Sequence, residues 1–324
     1  MKKFFIYLII GVSLLGCDQK TKNTKVSGVV FGTSYSIIYN SRDNYQKQFD
    51  SLFYVINKSM STYQVDSDIS KLNRNESTTV DSHFKRVLTK SFEIYNETNG
   101  AFDPTIGAVV NAWNFGPEEK ISDLDSLKID SLMHSVGLNK VKRVHNNIIK
   151  PKGTYIDFNA IAKGYGVDVI GEFLESKNVH NYLVEIGGEI RVKGENLDKK
   201  SMWTVGVEEP HFDGNQSILK AIKLKDAAMA TSGTYRKFKI DTSGNRYSHI
   251  IDTDTGYPSK TNLLSISVIA QDCMTADAYA TAFKTMGIEK IKLFLENHPE
   301  LKVFLIFENE KREFETLSLN RFPD

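Results

Sequence analysis

The chain predicts an α+β fold, with mixed or antiparallel sheets and packed helices forming one elaborate domain. Three observations carry this. Helical periodicity dominates the first third and β-like alternation most of the rest, so helices and strands are segregated rather than alternating. No Pro-rich or Gly/Ser-rich stretch interrupts the chain after residue 26, which argues against a linker. No repeat of fixed period is present. About 300 residues can bury a large core.

The elements follow in order. Val29–Tyr39 alternates with β-branched and aromatic residues and reads as a strand. Tyr45, Phe49, Leu52, Phe53 and Ile56 recur at helical spacing, giving a helix over roughly 42–58. Phe84, Val87, Leu88, Phe92 and Tyr95 mark a second helix, stopped by Asn99-Gly100. Ser122 and Asp125 open a third through Leu127, Leu132 and Val136. Thr154–Phe158 reads as a short strand leading into a helix over about 161–177. Strands are expected at Tyr182–Ile186, Ile190–Val192, Trp203–Val207, Ile218–Leu224, Phe238–Ile240, Ser248–Asp252 and Leu264–Ile269. Helices over about 275–286 and 288–297 precede closing strands at Leu301–Phe307 and Phe314–Leu317.

Residues 1–16 read as a targeting segment: Lys2 and Lys3, then an apolar run from Phe4 to Leu15 that is short for a membrane span. The run closes on Leu14-Leu15-Gly16-Cys17, which resembles the bacterial lipoprotein cleavage box and implies lipid on Cys17. An ordinary signal peptide or an uncleaved anchor is the alternative. Residues 17–26 then form a polar tether, and 27–324 the domain. Removing residues 1–16 takes away two lysines and no acid, so 41 basic residues become 39 against 40 acids. A nearly neutral chain gives no reason to expect nucleic acid as partner. With Cys17 lipidated, Cys273 is the one cysteine left, and no intrachain disulfide can form.

Several short segments carry chemistry. Asp277 and Thr281 are four apart, so on a helix both oxygens face one way; they offer hard ligands for Mg²⁺, or else a helix cap and a packing residue. His249, in Ser248-His-Ile-Ile-Asp252, is a titratable imidazole near Asp252 and Asp254; it is either an acid/base group or a hydrogen-bonded structural residue. Asp157-Phe-Asn-Ala-Ile-Ala-Lys-Gly-Tyr-Gly166 is a strand-to-helix junction, where free N–H groups and Lys163 would favour phosphate. Gly187-Gly188 permits close backbone approach, to a ligand or within a hairpin turn. In Ala101-Phe-Asp-Pro-Thr105, Asp103 is placed to cap the next helix. Tyr63 and the aromatic Asn111–Pro117 stretch offer rings to a flat ligand, or simply core.

In their order along the chain these segments resemble the ApbE family of flavin transferases, also called FAD:protein FMN transferases. The resemblance rests on Phe31-Gly-Thr-Ser-Tyr-Ser, Met60-Ser-Thr-Tyr63, Ala101–Thr105, Trp113-Asn-Phe-Gly-Pro117, Asp157–Tyr165, Ile186-Gly-Gly-Glu-Ile190, Ser232-Gly233, Ser248–Asp252 with Thr255-Gly256, and Ala276-Asp277 with Ala280-Thr281. It spans roughly residues 28–290. It implies an Mg²⁺-dependent enzyme that moves FMN from FAD onto a threonine hydroxyl through a phosphoester bond and releases AMP. Its acceptors would be flavin-bearing subunits of membrane redox complexes. Its place would be the bacterial envelope, lipid-anchored at the inner membrane and facing the periplasm. The resemblance assigns FAD contacts to Phe31, Tyr63, Ala101, Phe102, Asp103, Asp157, Lys163 and Ile251, with Gly187 and Gly188 beside them. It assigns the metal to the Ala160 carbonyl, Asp277 and Thr281, and the base to His249, oriented by Asp252. Departures are Phe31 where many members have Met, Thr253 for Pro, Lys163 for Glu, and Ala280 where some carry a second carboxylate, which would thin the metal site's charge. An FAD pyrophosphatase, or a flavin-binding lipoprotein without chemistry, would use the same cavity.

Overall fold

The computed structural model describes residues 22–235, 238–240 and 246–324. Cys17 and the targeting segment lie outside these residues, as does the first half of the tether. In chain order the described elements are β1 (Asn23–Val30), β2 (Thr33–Asn40), α1 (Gln46–Met60), α2 (Asp68–Asn73), α3 (Ser82–Glu97), α4 (Gly107–Ala112), α5 (Ser126–Met133), β3 (Lys142–Val144) and β4 (Asn147–Ile149). They continue with α6 (Ala162–Ser176), β5 (Tyr182–Ile186), β6 (Glu189–Lys193), β7 (Trp203–Glu208), β8 (Ile218–Leu224), β9 (Ala227–Gly233), β10 (Phe238–Ile240) and β11 (Arg246–Ser248). Last come β12 (Leu263–Ala270), α7 (Cys273–Met286), α8 (Ile288–Glu296), β13 (Lys302–Glu308) and β14 (Phe314–Leu319).

Eight strands form one sheet in the order β1-β2-β5-β6-β9-β12-β13-β14, with every neighbouring pair antiparallel. The alternation of each strand decides what covers its faces. On one face Ile37, Tyr39, Val184 and Ile186 meet Phe49 and Phe53 of α1 and Val167 and Ile170 of α6. On the other face Ile190, Val192, Met229 and Ile269 meet Trp203, Val205 and Ile222 of the β7–β8 ribbon. The result is three layers: helices, sheet and ribbon. Central β12 is buried at all eight positions because both its faces are covered.

The α+β expectation holds, and the helices fall within a few residues of their expected bounds. The differences are instructive. The single strand expected over 29–39 is a hairpin, β1–β2, turned by Phe31 and Gly32 with φ of 51° and 73°. Thr154–Phe158 is not a strand of a sheet. The Asn73 side chain takes the place of a neighbour, accepting from Ile156 N and donating to Ile156 O at 2.8 Å each, and Tyr155 makes only a lone bridge to Ile106. The strand expected at 248–252 ends at Ser248, and Ile251 instead bridges to Pro258 across a turn. Ser122 lies outside α5, whose N-cap is Asp125, accepting from Lys128 N.

Candidate functional site

A cavity of about 1120 Å³ opens where β1–β2, β5–β6 and β9 end and α6 and α7 begin or pass. Its wall includes every candidate site residue read from the sequence except Asp252 and, outside the described residues, Cys17. Side chains more than 200 positions apart, Phe31 and Thr281 among them, meet there because the sheet order brings both chain halves to one end.

The floor is built by α6 and α7, locked together at two points one helical turn apart. Gly164 N of α6 donates to Asp277 Oδ2 of α7 at 3.0 Å. Cys273 N and Met274 N at the start of α7 donate to the Asp168 carboxylate of α6 at 2.9 and 2.8 Å. The helices approach this closely because residue 164 is glycine; a Cβ there would lie 2.4 Å from Cys273 O. Asp272, not Asp277, caps α7, accepting from Thr275 N. Asp277 is therefore free of the capping role and stands at the cavity, with Thr281 one turn on.

Lys163 is paired rather than free: its Nζ lies 2.6 Å from Glu189 Oε1. Glu189, the residue after the Gly187-Gly188 turn, had no role in the sequence reading. It is 2% exposed, and its Oε2 has no hydrogen-bond partner. Burial pushes its pKa up to about 7 against the pull of Lys163, with the Asp277 charge adding to the rise. Burial likewise raises Asp277, against Lys163 and the Gly164 N–H. Burial works to lower Lys163, but the charges of Glu189 and Asp277 outweigh it and the net direction is up. Sequence hides Glu189 because Glu189 and Arg191 alternate with Ile190 and Val192, the pattern of a strand with a solvated face. Here the charged face is the one turned to α6.

The walls follow from local structure. The Phe31 ring packs edge-on against Phe53 and backs onto Gly166, where a Cβ would meet it at 2.7 Å. Gly187 and Gly188 make the two-residue β5–β6 turn with φ of 64° and 104°, and a Cβ on Gly188 would meet nothing within 4 Å, leaving open space for a ligand. Asp157 accepts from Asn159 N at 2.7 Å in an Asx turn that sets Ala160 ahead of α6, whose N-cap position, Ile161, carries no side-chain cap. Tyr63 is 61% exposed at the mouth, and Phe102 is buried inside. Ile251 and His249 close the far wall, the imidazole edge-on to Phe115 at 6.3 Å between centroids. Thr253, the departure from Pro, donates to Gly100 O at 2.8 Å and so ties this wall to the Ala101–Asp103 segment.

Two expectations are corrected. Asp103 does not cap α4: its Oδ1 accepts from Thr105 N and Oγ1 at 2.8 and 2.6 Å and its Oδ2 from Leu138 N, while α4 begins after Ile106 without a side-chain cap. Asp252 does not line the cavity. Its Oδ1 accepts from Asp254 N, Thr255 N and Thr255 Oγ1, organising its own turn, and it borders a separate hollow of about 410 Å³. Ala280, where some members carry a second carboxylate, is 1% exposed and brings no charge. The second acid beside Asp277 is Glu189.

Among the described residues no three His, Cys, Asp or Glu side chains come together as a metal cluster. Any cation would need mixed oxygen donors. Asp277, the Thr281 hydroxyl and the Ala160 carbonyl are such donors, and the unpartnered buried oxygen of Glu189 is a fourth donor, from a second carboxylate, that a cation would satisfy. This hard-oxygen set fits Mg²⁺, which shares its shell with water and phosphate, better than a soft metal.

A model of the ApbE family matches residues 31–305. The chain belongs to the ApbE family. Among similar curated proteins is the FAD:protein FMN transferase of Haemophilus influenzae, 34% identical over 333 residues that cover 96% of this chain and 94% of that one. That of Vibrio cholerae is 36% identical over 304 residues, 90% and 89% of the two chains. The solved flavin transferase ApbE from Vibrio cholerae superposes with a TM-score of 0.81 at 34% identity, covering 92% of this chain and 97% of the other. The apo flavinyl transferase ApbE of Pseudomonas stutzeri gives 0.82 at 26% identity, covering 92% and 94%. These relatives bear out the family and the α+β architecture.

Proposed function

We propose that this ApbE-family chain is an FAD:protein FMN transferase, moving FMN from FAD to a threonine hydroxyl of an acceptor protein and releasing AMP. The observation that carries this is the convergence of the FAD-contact, base and metal positions on one cavity, floored by the buried Asp277 and Glu189 carboxylates. Curated relatives of matching length are named FAD:protein FMN transferases, which supports the transfer itself.

The chain's own residues take these parts. Tyr63 and Phe102 border the dinucleotide. Lys163 holds the diphosphate by its charge at the start of α6, where Ala162 N and Gly164 N already donate to Phe158 O and Asp277 Oδ2. Asp277, Thr281, the Ala160 carbonyl and Glu189 would hold Mg²⁺, which when bound offsets negative charge on the diphosphate. The threonine Oγ forms its bond to the FMN-side phosphorus as the bond to the AMP oxygen breaks. AMP leaves with that electron pair, and His249 takes the threonine proton. His249→Ala should lower turnover by about 10²–10⁴-fold with FAD affinity little changed. An unchanged turnover number removes it as base.

The reading is tested by incubating residues 18–324 with FAD, Mg²⁺ and a threonine-bearing acceptor, and following AMP together with flavin fluorescence on the denatured acceptor. AMP without flavinylated acceptor identifies an FAD pyrophosphatase. Intact FAD after long incubation identifies a flavin carrier. The same reading takes the acceptor as a flavin-bearing subunit of a membrane redox complex and the enzyme as anchored through lipid on Cys17 at the periplasmic face of the inner membrane. Support for the anchor is the apolar run ending on Leu14-Leu15-Gly16-Cys17.

A further inference from the structure

The cavity has a lobe that the FAD positions do not reach. Those positions lie on the end turns of the sheet or on its helix-bearing side. Beyond the Gly187-Gly188 turn the wall continues to the opposite side of the sheet, where Ile190, Gly206, Glu208, Ile218 and Tyr235 line it. The whole cavity, about 1120 Å³, exceeds the roughly 300–1,000 Å³ usual for one small ligand. The lobe is also open: Ile218, at the start of β8, is 60% exposed. Among the described residues β7 and β8 pair only with each other, so each keeps a second edge for main-chain pairing.

Resting on the transferase reading, we propose that this lobe seats the acceptor: an extended, threonine-bearing segment of a second protein laid beside the β7–β8 ribbon. Group transfer needs both substrates at one phosphorus, so the acceptor must enter the FAD cavity and not a remote site. A small ligand is usually 70–90% buried in its pocket, which this open lobe would not do for the flavin ring. An extended segment suits it: exposed strand edges supply main-chain hydrogen bonds, and the exposed Ile218 supplies apolar contact. Gly206 lets the Ile218 side chain lie close on the ribbon, since a Cβ there would meet Ile218 Cδ1 at 2.7 Å.

The test is Ile218→Trp, which fills the lobe at an exposed position. The acceptor probe is a library of synthetic ten-residue peptides, each with one central threonine, read by covalent flavin fluorescence. Equilibrium FAD binding is measured alongside. The expected result is FAD affinity within about twofold of wild type, which also reports an intact fold, with peptide labelling down about tenfold or more through a raised peptide KM. If FAD affinity falls tenfold instead, the lobe holds the flavin ring and the proposal is overturned. If neither quantity changes, the lobe is unused and the proposal is equally overturned. Failure of the transferase reading looks different: the wild-type protein itself labels no peptide while releasing AMP, and the proposal falls with it.

Discussion

Glu189 is the residue on which the site's electrostatics turn. A carboxylate with one oxygen on Lys163 and the other unpartnered in a buried position is costly without a cation. Glu189→Gln keeps the shape, removes the charge and leaves Lys163 without its counter-ion. The expected outcome is a loss of AMP release of about tenfold or more at fixed low Mg²⁺, largely recovered at high Mg²⁺, because the removed group acts through cation affinity. A Mg²⁺ titration of wild type and variant checks this. Overlapping titration curves would mean that Glu189 serves Lys163 alone. The glutamate was visible in the Ile186-Gly-Gly-Glu motif, but its role was not, because nothing in a strand's alternation says which face will be covered by a helix.

At the scale of elements, the site depends on the register of α6, α7 and β6. Asp168 receives two N–H groups from the first turn of α7 and, at 2.9 Å, the Arg191 guanidinium from β6. Burial still pushes its pKa up to about 6, so the carboxylate is held ionised at neutral pH by these partners rather than by water. Asp168→Asn offers one acceptor where two N–H groups and a cation converge. It should cost about 3–5 kcal/mol, as breaking a buried pair does, read as a lower urea midpoint. Because α7 carries Asp277 and Thr281, Mg²⁺ affinity should fall as well; a stability loss with unchanged Mg²⁺ affinity would confine Asp168 to the fold. Strongly periodic elements such as α3 and β5 were legible in sequence. β9, a central strand, was not: Ala227-Ala-Met-Ala-Thr-Ser-Gly is poor in β-formers, because its small side chains let α7 lie close on the sheet. The β1–β2 hairpin was hidden by Phe31 in a left-handed conformation that sequence rules reserve for Gly or Asn. α2 and α4, six residues each, are too short to show a period.

For the whole molecule, 41 basic and 40 acidic residues nearly cancel, so pH acts on global stability through a few buried groups rather than through net charge. Lys284, near the end of α7, is 1% exposed and donates to Thr261 Oγ1 at 2.9 Å and to Leu263 O. Burial brings its pKa down to about 7 from 10.5. The folded chain therefore binds fewer protons than the unfolded one between pH 7 and 10.5, and stability rises with pH through that window. Its full span is about 5 kcal/mol, of which about 2 falls between pH 7 and 9. Asp168 and Glu189, with folded pKa values raised to about 6 and 7, act in the opposite sense and lower stability as pH rises from about 4 to 7. Cation-free protein should thus pass through a stability minimum near neutral pH. Lys284→Met removes the alkaline arm: urea midpoints that climb from pH 7 to 9 in the wild-type protein should stay level in the variant, whatever the absolute offset from the hydrogen bonds to Thr261 and Leu263 that it removes. Parallel slopes in the two proteins would show that the ammonium is solvated in the native state and that the alkaline rise has another source.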